Sequence, residues 1–221
     1  MLLGLIRDPS QILSDPLGFM LALLEIVISL AVAITVHEFS HGYIAYKLGD
    51  STAQRSGRLS FNPLAHLDPV GTLMLFLVGF GWGKPVPVNP YYLKYGPRTG
   101  MALVGLAGPA SNLVFGAAVG AIIMLVPPFP EETILAYIVF YNVLLAVFNF
   151  IPIPPLDGSN ILMGILPRGL AISYSRIQRW GPAILIMVVL LDQFAHTGIL
   201  TYVMRYPINF FTRLFMGEAL F

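Results

Sequence analysis

The residues best suited to chemistry are His37-Glu38-Phe39-Ser40-His41, two histidines four apart with a glutamate directly after the first. Four residues advance an α-helix by about 400°, so the imidazoles lie about 40° apart on one face and can reach one metal ion. Glu38 falls about 100° further round, beside the remaining coordination position, where a carboxylate can take a proton from activated water. With four His and eleven Asp/Glu in 221 residues, an H-E/D-x-x-H pattern arises by chance in about 0.4% of such chains. The bland alternative is an interfacial helix end with solvated histidines. The chain has no cysteine, which removes disulfides, thiolate ligands and cysteine nucleophiles, and leaves nitrogen and oxygen donors for a metal. Two histidines and a water leave tetrahedral zinc one ligand short.

The elements that must position these groups belong to a membrane. Hydrophobic residues make up 57% of the chain and charged residues 10%, with mean hydropathy +0.79, against about 25% charged in a soluble domain. Val104–Val126 and Thr133–Pro155 carry no charge, and each is long enough for the roughly 20 residues of a spanning helix. The pattern predicts a motif-bearing helix over Pro16–Lys47, followed by a Gly/Pro-rich stretch over Leu48–Pro69. Val70–Phe80 is too short for a straight span and is read as re-entrant or extended into Gly81–Gly83. Gly83–Pro97 contains Pro85, Pro87, Pro90 and Pro97 and cannot be a regular helix. Further helices are predicted over Thr99–Val126, Thr133–Phe150 and Gly181–Gly198, with a broken segment over Pro152–Pro167. Leu200–Phe221 reads as an interfacial amphipathic segment or a short further helix. The expected fold is all-α and polytopic, with about four to six transmembrane helices and a small β-structured or re-entrant region after the first. It forms a single membrane-embedded domain over 1–221, with a catalytic core at about 16–167 and a C-terminal span and tail at 168–221. No repeat, cleavable signal or soluble domain is expected.

Charge sets the orientation. Lys47, Arg55, Arg58, Lys84, Lys94 and Arg98 precede the Thr99 helix, and Arg168, Arg176 and Arg179 follow the broken segment. If the two groups share a side, nine of the twelve basic residues lie there, and the positive-inside rule makes it cytoplasmic. The net charge of +1, without a basic cluster, gives no reason to expect nucleic acid.

Candidates for the missing ligand are His66, Asp68, Asp157, Asp192, His196, Glu25 and the scattered loop acids. Asp157 stands out because it follows Asn149-Phe150-Ile151-Pro152-Ile153-Pro154-Pro155-Leu156, where three prolines break a helix at membrane depth. Irregular backbone there is tolerated only where it lines a protein-enclosed or watery cavity. The charge-derived topology returns this segment to the side on which the first helix delivers His37 and His41.

His37–Gly42 (HEFSHG), Gly108–Asn112 (GPASN) and Asn149–Gly158 (NFIPIPPLDG) together resemble the three signature motifs of the site-2 protease family of intramembrane metalloproteases, in the family's order. The resemblance implies that His37, His41 and Asp157 bind one zinc ion and that Glu38 is the general base. Asn149 would stabilise the oxyanion, and Asn112 would line the same cavity or serve helix packing beside Gly108, Ala110 and Ser111. A β-structured region after the first motif would correspond to about Ser51–Asn62 and pair with an unwound substrate, although only Ala53, Leu59 and Phe61 offer it apolar contacts. No polar segment is long enough for the PDZ or CBS domains of some relatives, so a minimal, core-only member is expected.

The function expected is an intramembrane zinc endopeptidase acting in or near transmembrane segments of other proteins, in the cell membrane, with its site toward the cytoplasmic half. Its partners would be transmembrane substrates, the lipid bilayer and an accessory or regulatory membrane protein. A metal-ion transporter or sensor would explain intramembrane His and Asp but not Glu38 between the histidines. A proteolytically silent membrane chaperone would not need the full residue set. His66 reads as structural or gating, Asp192 and His196 as a mutual or solvated pair, and Glu25 as a snorkelling or interhelical group.

Overall fold

Helix α1 (Pro16–Lys47) begins where Asp15 accepts the Gly18 N–H at 2.9 Å and Pro16 occupies the first turn, where its missing N–H is harmless. The computed structural model describes residues 14–78, 81–125, 133–195 and 197–217. The 32 residues of α1 span about 48 Å, more than the roughly 30 Å of a bilayer core. Ile26, Ser29, Ala33, His37, His41 and Ala45 recur every three or four residues on its buried face, while Leu17, Met20, Leu24 and Val27 are exposed. An apolar stripe on both faces is the pattern of a lipid-facing helix.

Among the described residues eight further helices follow: α2 (Thr52–Arg55), α3 (Pro69–Val78), α4 (Gly96–Leu125), α5 (Ile134–Asn149), α6 (Asp157–Ile165), α7 (Arg168–Gln178), α8 (Gly181–Phe194) and α9 (Ile199–Met216). Single 3₁₀ turns lie at Pro63–Ala65 and Pro90–Tyr92. Among the described residues α1 and α4 are the two helices long and apolar enough to cross a membrane; Ile134–Asn149 and Gly181–Asp192 are apolar but shorter.

Helix α4 is the hub, in contact with α1, α5, α6 and α9. Gly100, Val104, Gly108, Asn112, Gly116 and Gly120 are buried at four-residue steps along it, a small-residue stripe that lets other backbones approach. A Cβ on Gly120 would stand 2.4 Å from the Phe215 carbonyl oxygen of α9, and one on Gly164 would stand 2.3 Å from Ala102 Cβ. Helix α5 fills the centre: Val139, Phe140, Val143 and Val147 join Ile26 and Ala33 of α1, Val119 of α4, and Met204 and Ile208 of α9 in one apolar cluster. Helices α1 and α4 run antiparallel, with Ala33 level with Asn112 and His41 level with Val104.

Four expectations change. Over Ser51–Asn62 the chain makes the helical turn α2 and a bend instead of a strand, because the buried Asp50 Oδ1 accepts the Thr52 N–H at 3.0 Å and the Thr52 hydroxyl, which starts a helical turn. The one β-type pairing among the described residues is the isolated bridge Leu67–Gly83. Val70–Val78 lies in the helix α3, opened by Asp68, which accepts the Gly71 N–H at 2.8 Å; Gly79 and Phe80 lie outside the described residues. Helix α4 starts at Gly96 and not Thr99, since a proline in the first helical turn loses no intrahelical bond. The broken segment Pro152–Pro167 holds the nine-residue helix α6, which Asp157 opens, so the irregular backbone is limited to the stretch before it and to Leu166 and Pro167.

Arg98 fixes the far end of α6: its Nε donates to Met163 O at 2.7 Å and its Nη2 to the Gly164 and Leu166 carbonyls. These are carbonyls that a helix end leaves without backbone donors. Arg98→Met is expected to lower stability by about 2 kcal/mol, read as a lower unfolding midpoint in detergent. An unchanged midpoint would contradict this role.

Candidate metal centre

Two helices bring the trio together. His37 and His41 lie one turn apart on the buried face of α1, and Asp157 stands in the first turn of α6. Asp157 Oδ2 lies 3.0 Å from His37 Nε2 and 3.1 Å from His41 Nε2. The outer nitrogens are tied down: His37 Nδ1 is 2.6 Å from Asn112 Oδ1, and His41 Nδ1 is 2.7 Å from Val104 O. Both partners can only accept, so each Nδ1 carries the proton and each Nε2 of a neutral ring presents a lone pair. Two lone pairs therefore converge on a carboxylate oxygen that is itself buried and without a hydrogen-bond partner. Three acceptors facing one another repel unless a positive charge sits among them. The ligand atoms all lie within 4.8 Å of one another, and the 3.0 and 3.1 Å separations approach the roughly 3.3 Å edge of a tetrahedron with zinc-like bonds. The donor set fits one zinc ion.

A hydrogen-bond line crossing three helices aims His37. Asn112 Nδ2 donates to Ala33 O at 2.9 Å and to Asn142 Oδ1 at 2.7 Å, and Asn142 Nδ2 donates to Ile138 O at 2.8 Å. Both asparagines are fully buried. Asn112, expected to line the cavity, has both amide hydrogens committed to protein groups and none left for a substrate. Asn142 escaped the sequence reading; its signal is an amide in the middle of the apolar run Thr133–Pro155. Gly108, of the second motif, lets α4 touch the imidazoles. A Cβ there would stand 2.5 Å from His41 Nε2 and 2.7 Å from His37 Cε1.

Glu38 is half-buried beside the trio and its Oε2 accepts the Val86 N–H at 2.9 Å. Asn149 ends α5, and its Nδ2 donates to Leu145 O at 3.0 Å. The other candidate ligands are elsewhere. His66 is fully buried, with Nε2 2.7 Å from Ser60 O. Asp68 caps α3, and Asp192 accepts from Thr197 Oγ1 and the Leu200 N–H. Glu25 lies twelve residues before His37 on α1, about 18 Å along the axis. His196 lies outside the described residues. His41 and His37 stand six and ten residues before Lys47, about 9 and 15 Å from the polar end of α1. The trio is thus recessed within apolar helices.

A recessed trio able to hold a metal ion, with a glutamate at its side, is the layout of a membrane metalloprotease. The sequence profile of peptidase family M50 matches residues 128–191. The "Putative zinc metalloprotease YwhC" of Bacillus subtilis is 38% identical over 166 residues, 71% of this chain and 75% of that protein. The "Putative zinc metalloprotease Rip2" of Mycolicibacterium smegmatis is 30% identical over 186 residues, 80% of this chain and 70% of that protein. No solved structure gives a significant match. The chain belongs to peptidase family M50, the site-2 protease family, and is a zinc metalloprotease of the membrane.

Two substitutions test the centre through zinc content alone. Gly108→Ala places a methyl against both imidazoles and is expected to abolish stoichiometric zinc. Asn112→Leu removes the acceptor that orients His37 and is expected to weaken zinc binding about 10- to 100-fold, measured by competition with a chelator. Unchanged affinity in both would contradict the geometry.

Proposed function

We propose that the protein is an intramembrane endopeptidase that hydrolyses peptide bonds in or near transmembrane segments of other membrane proteins. The observation that carries the reading is the recessed trio with Glu38 beside it. His37, His41 and Asp157 hold the ion, and zinc supplies Lewis acidity, polarising a carbonyl and acidifying water. Glu38 takes a proton from the attacking water and passes it to the leaving amine. The Val86 N–H holds one carboxylate oxygen at 2.9 Å, which fixes the direction in which the other points. Asn112 is a positioning residue, acting through His37. Asn149 has one amide hydrogen on Leu145 O; the other is the donor offered to the developing oxyanion, a contact of a few kcal/mol in comparable sites.

In this reading the chain crosses the membrane four to six times, α1, α4, α5 and α8 among the spans, with the site in the cytoplasmic half. The carbonyl of Leu48, just after α1, accepts the Lys94 N–H at 2.7 Å, and Arg98 and Arg168 line one surface cavity. These contacts support a shared basic end for the loops that positive-inside counting makes cytoplasmic. Substrates are transmembrane proteins whose helices unwind before hydrolysis, since a helix in lipid hides its peptide bonds. The bilayer, and an accessory membrane protein that controls access, complete the expected partners.

Purified protein in detergent, given a panel of helix-destabilised transmembrane substrates, is expected to cleave, and Glu38→Gln to lower kcat by at least about 100-fold with zinc retained. Cleavage by Glu38→Gln at the wild-type rate would remove Glu38 from the reaction. Zinc uptake into vesicles without cleavage by either protein would replace the protease with a transporter.

A further inference from the structure

Two buried charges outside the metal trio are spent on backbone groups. Asp50 is fully buried and its Oδ2 accepts the Asn89 N–H at 2.6 Å. Arg58 is 9% exposed, so its charge lies almost entirely out of solvent, and its Nη2 donates to Lys84 O at 2.5 Å. Among the described residues the ion pairs are those of Asp157 with His37 and His41, so no described carboxylate neutralises this guanidinium. Burying a charge is costly unless hydrogen bonds compensate it, and an apolar side chain would fill the same space at less cost.

What the two charges hold is the six-residue segment Lys84–Asn89, one at each end. The Lys84 N–H is also taken, by His66 O at 2.8 Å. Val86 stands between Pro85 and Pro87, which lack N–H groups and restrict Lys84 and Val86 to extended conformations. Val86 is thus the one backbone donor between Lys84 and Val88, and it is the donor to Glu38 Oε2. Its side chain is seated as well: a Cβ on Gly42, one turn of α1 beyond Glu38, would stand 3.3 Å from Val86 Cγ1.

The geometry points to Arg58 as a positioning residue for Glu38: with Asp50 it clamps the proline-stiffened segment Lys84–Asn89, so that the Val86 N–H fixes the Glu38 carboxylate. The inference rests on the reading of Glu38 as the proton-transferring group. Arg58 touches no reacting atom and acts through the Lys84 carbonyl. A buried guanidinium is used because it reaches a carbonyl 26 residues away in sequence with a charge-assisted bond, stronger than a neutral one.

The test uses the full chain in detergent with Arg58→Met and Arg58→Lys, measuring kcat, KM, zinc content and amide exchange over residues 84–89. In that stretch the prolines leave four backbone amides, so exchange at Val86 is readily assigned. Arg58→Met is expected to lower kcat about 10- to 100-fold, the effect of displacing a catalytic group by about an ångström. KM should change less than about threefold and zinc should remain stoichiometric, while the Val86 amide exchanges at least about tenfold faster. Arg58→Lys, which restores one charge-assisted donor, is expected to recover most of kcat and of the protection. The inference is overturned if Arg58→Met keeps kcat and Val86 protection at wild-type values, or if both variants lose zinc and cleavage alike. If the wild type cleaves no substrate, the protease reading fails by itself and exchange alone judges the clamp. Faster Val86 exchange in Arg58→Met and in Glu38→Ala upholds it, and unchanged exchange in Arg58→Met overturns it.

Discussion

The structure depends on three ligand atoms held close together, an arrangement that requires a positive charge among them. Two imidazoles whose Nδ1 protons are committed to Asn112 and Val104 point their Nε2 lone pairs at an Asp157 oxygen buried beside them. Water would relieve that clash in an open cleft, but here apolar helices enclose it. A shared positive charge, whether a proton on an Nε2 or a metal ion, is what lets the three groups sit this close. Metal binding is therefore expected to be coupled to the stability of the α1–α4–α6 contact, as in other proteins where ligands converge only in the folded state.

The apolar surroundings carry their own demands. Amides buried among aliphatic side chains must find partners, and Asn112 and Asn142 do so in each other, in His37 and in two helix carbonyls. The result is a line of polar contacts from α5 through α4 to α1, which sets the orientation of one ligand from two helices away. Close approach of these helices requires small residues, and α4 provides them at four-residue steps, with Gly108 directly under the imidazoles. Motif glycine and motif asparagine thus serve one purpose by different means: one removes bulk beside the ligands and the other fixes their direction.

Much of this was legible in the sequence where a residue type admits few uses. An HExxH in an apolar run has little to do besides bind metal, and an aspartate after a proline-broken helix is one of few ligands able to join it. Helices α4 and α5 followed from the uncharged runs Val104–Val126 and Thr133–Pro155, and α1 from the apolar run that leads into the motif. Other features were hidden for stated reasons. A strand over Ser51–Asn62 was expected from the family resemblance, but the hydrogen bonds of Asp50 to Thr52 start a helical turn instead, a local contact that periodicity does not register. The role of Asn142 depends on which residue of α4 faces it, and that of Arg58 on a carbonyl 26 residues away; neither pairing has a sequence period. The tail Leu200–Phe221 was open between an interfacial segment and a helix, and α9 (Ile199–Met216) packs Met204 and Ile208 into the central cluster, which helical spacing permits but does not demand.

The central claim is that His37, His41 and Asp157 are the protein ligands of one zinc ion. X-ray absorption at the zinc edge, recorded on the wild type and on Asp157→Ala at matched occupancy, tests it most directly. Two imidazoles and at least one oxygen are expected around zinc in the wild type. Asp157→Ala is expected to lose zinc or to show one fewer protein oxygen. An identical spectrum and unchanged zinc affinity in Asp157→Ala would contradict it.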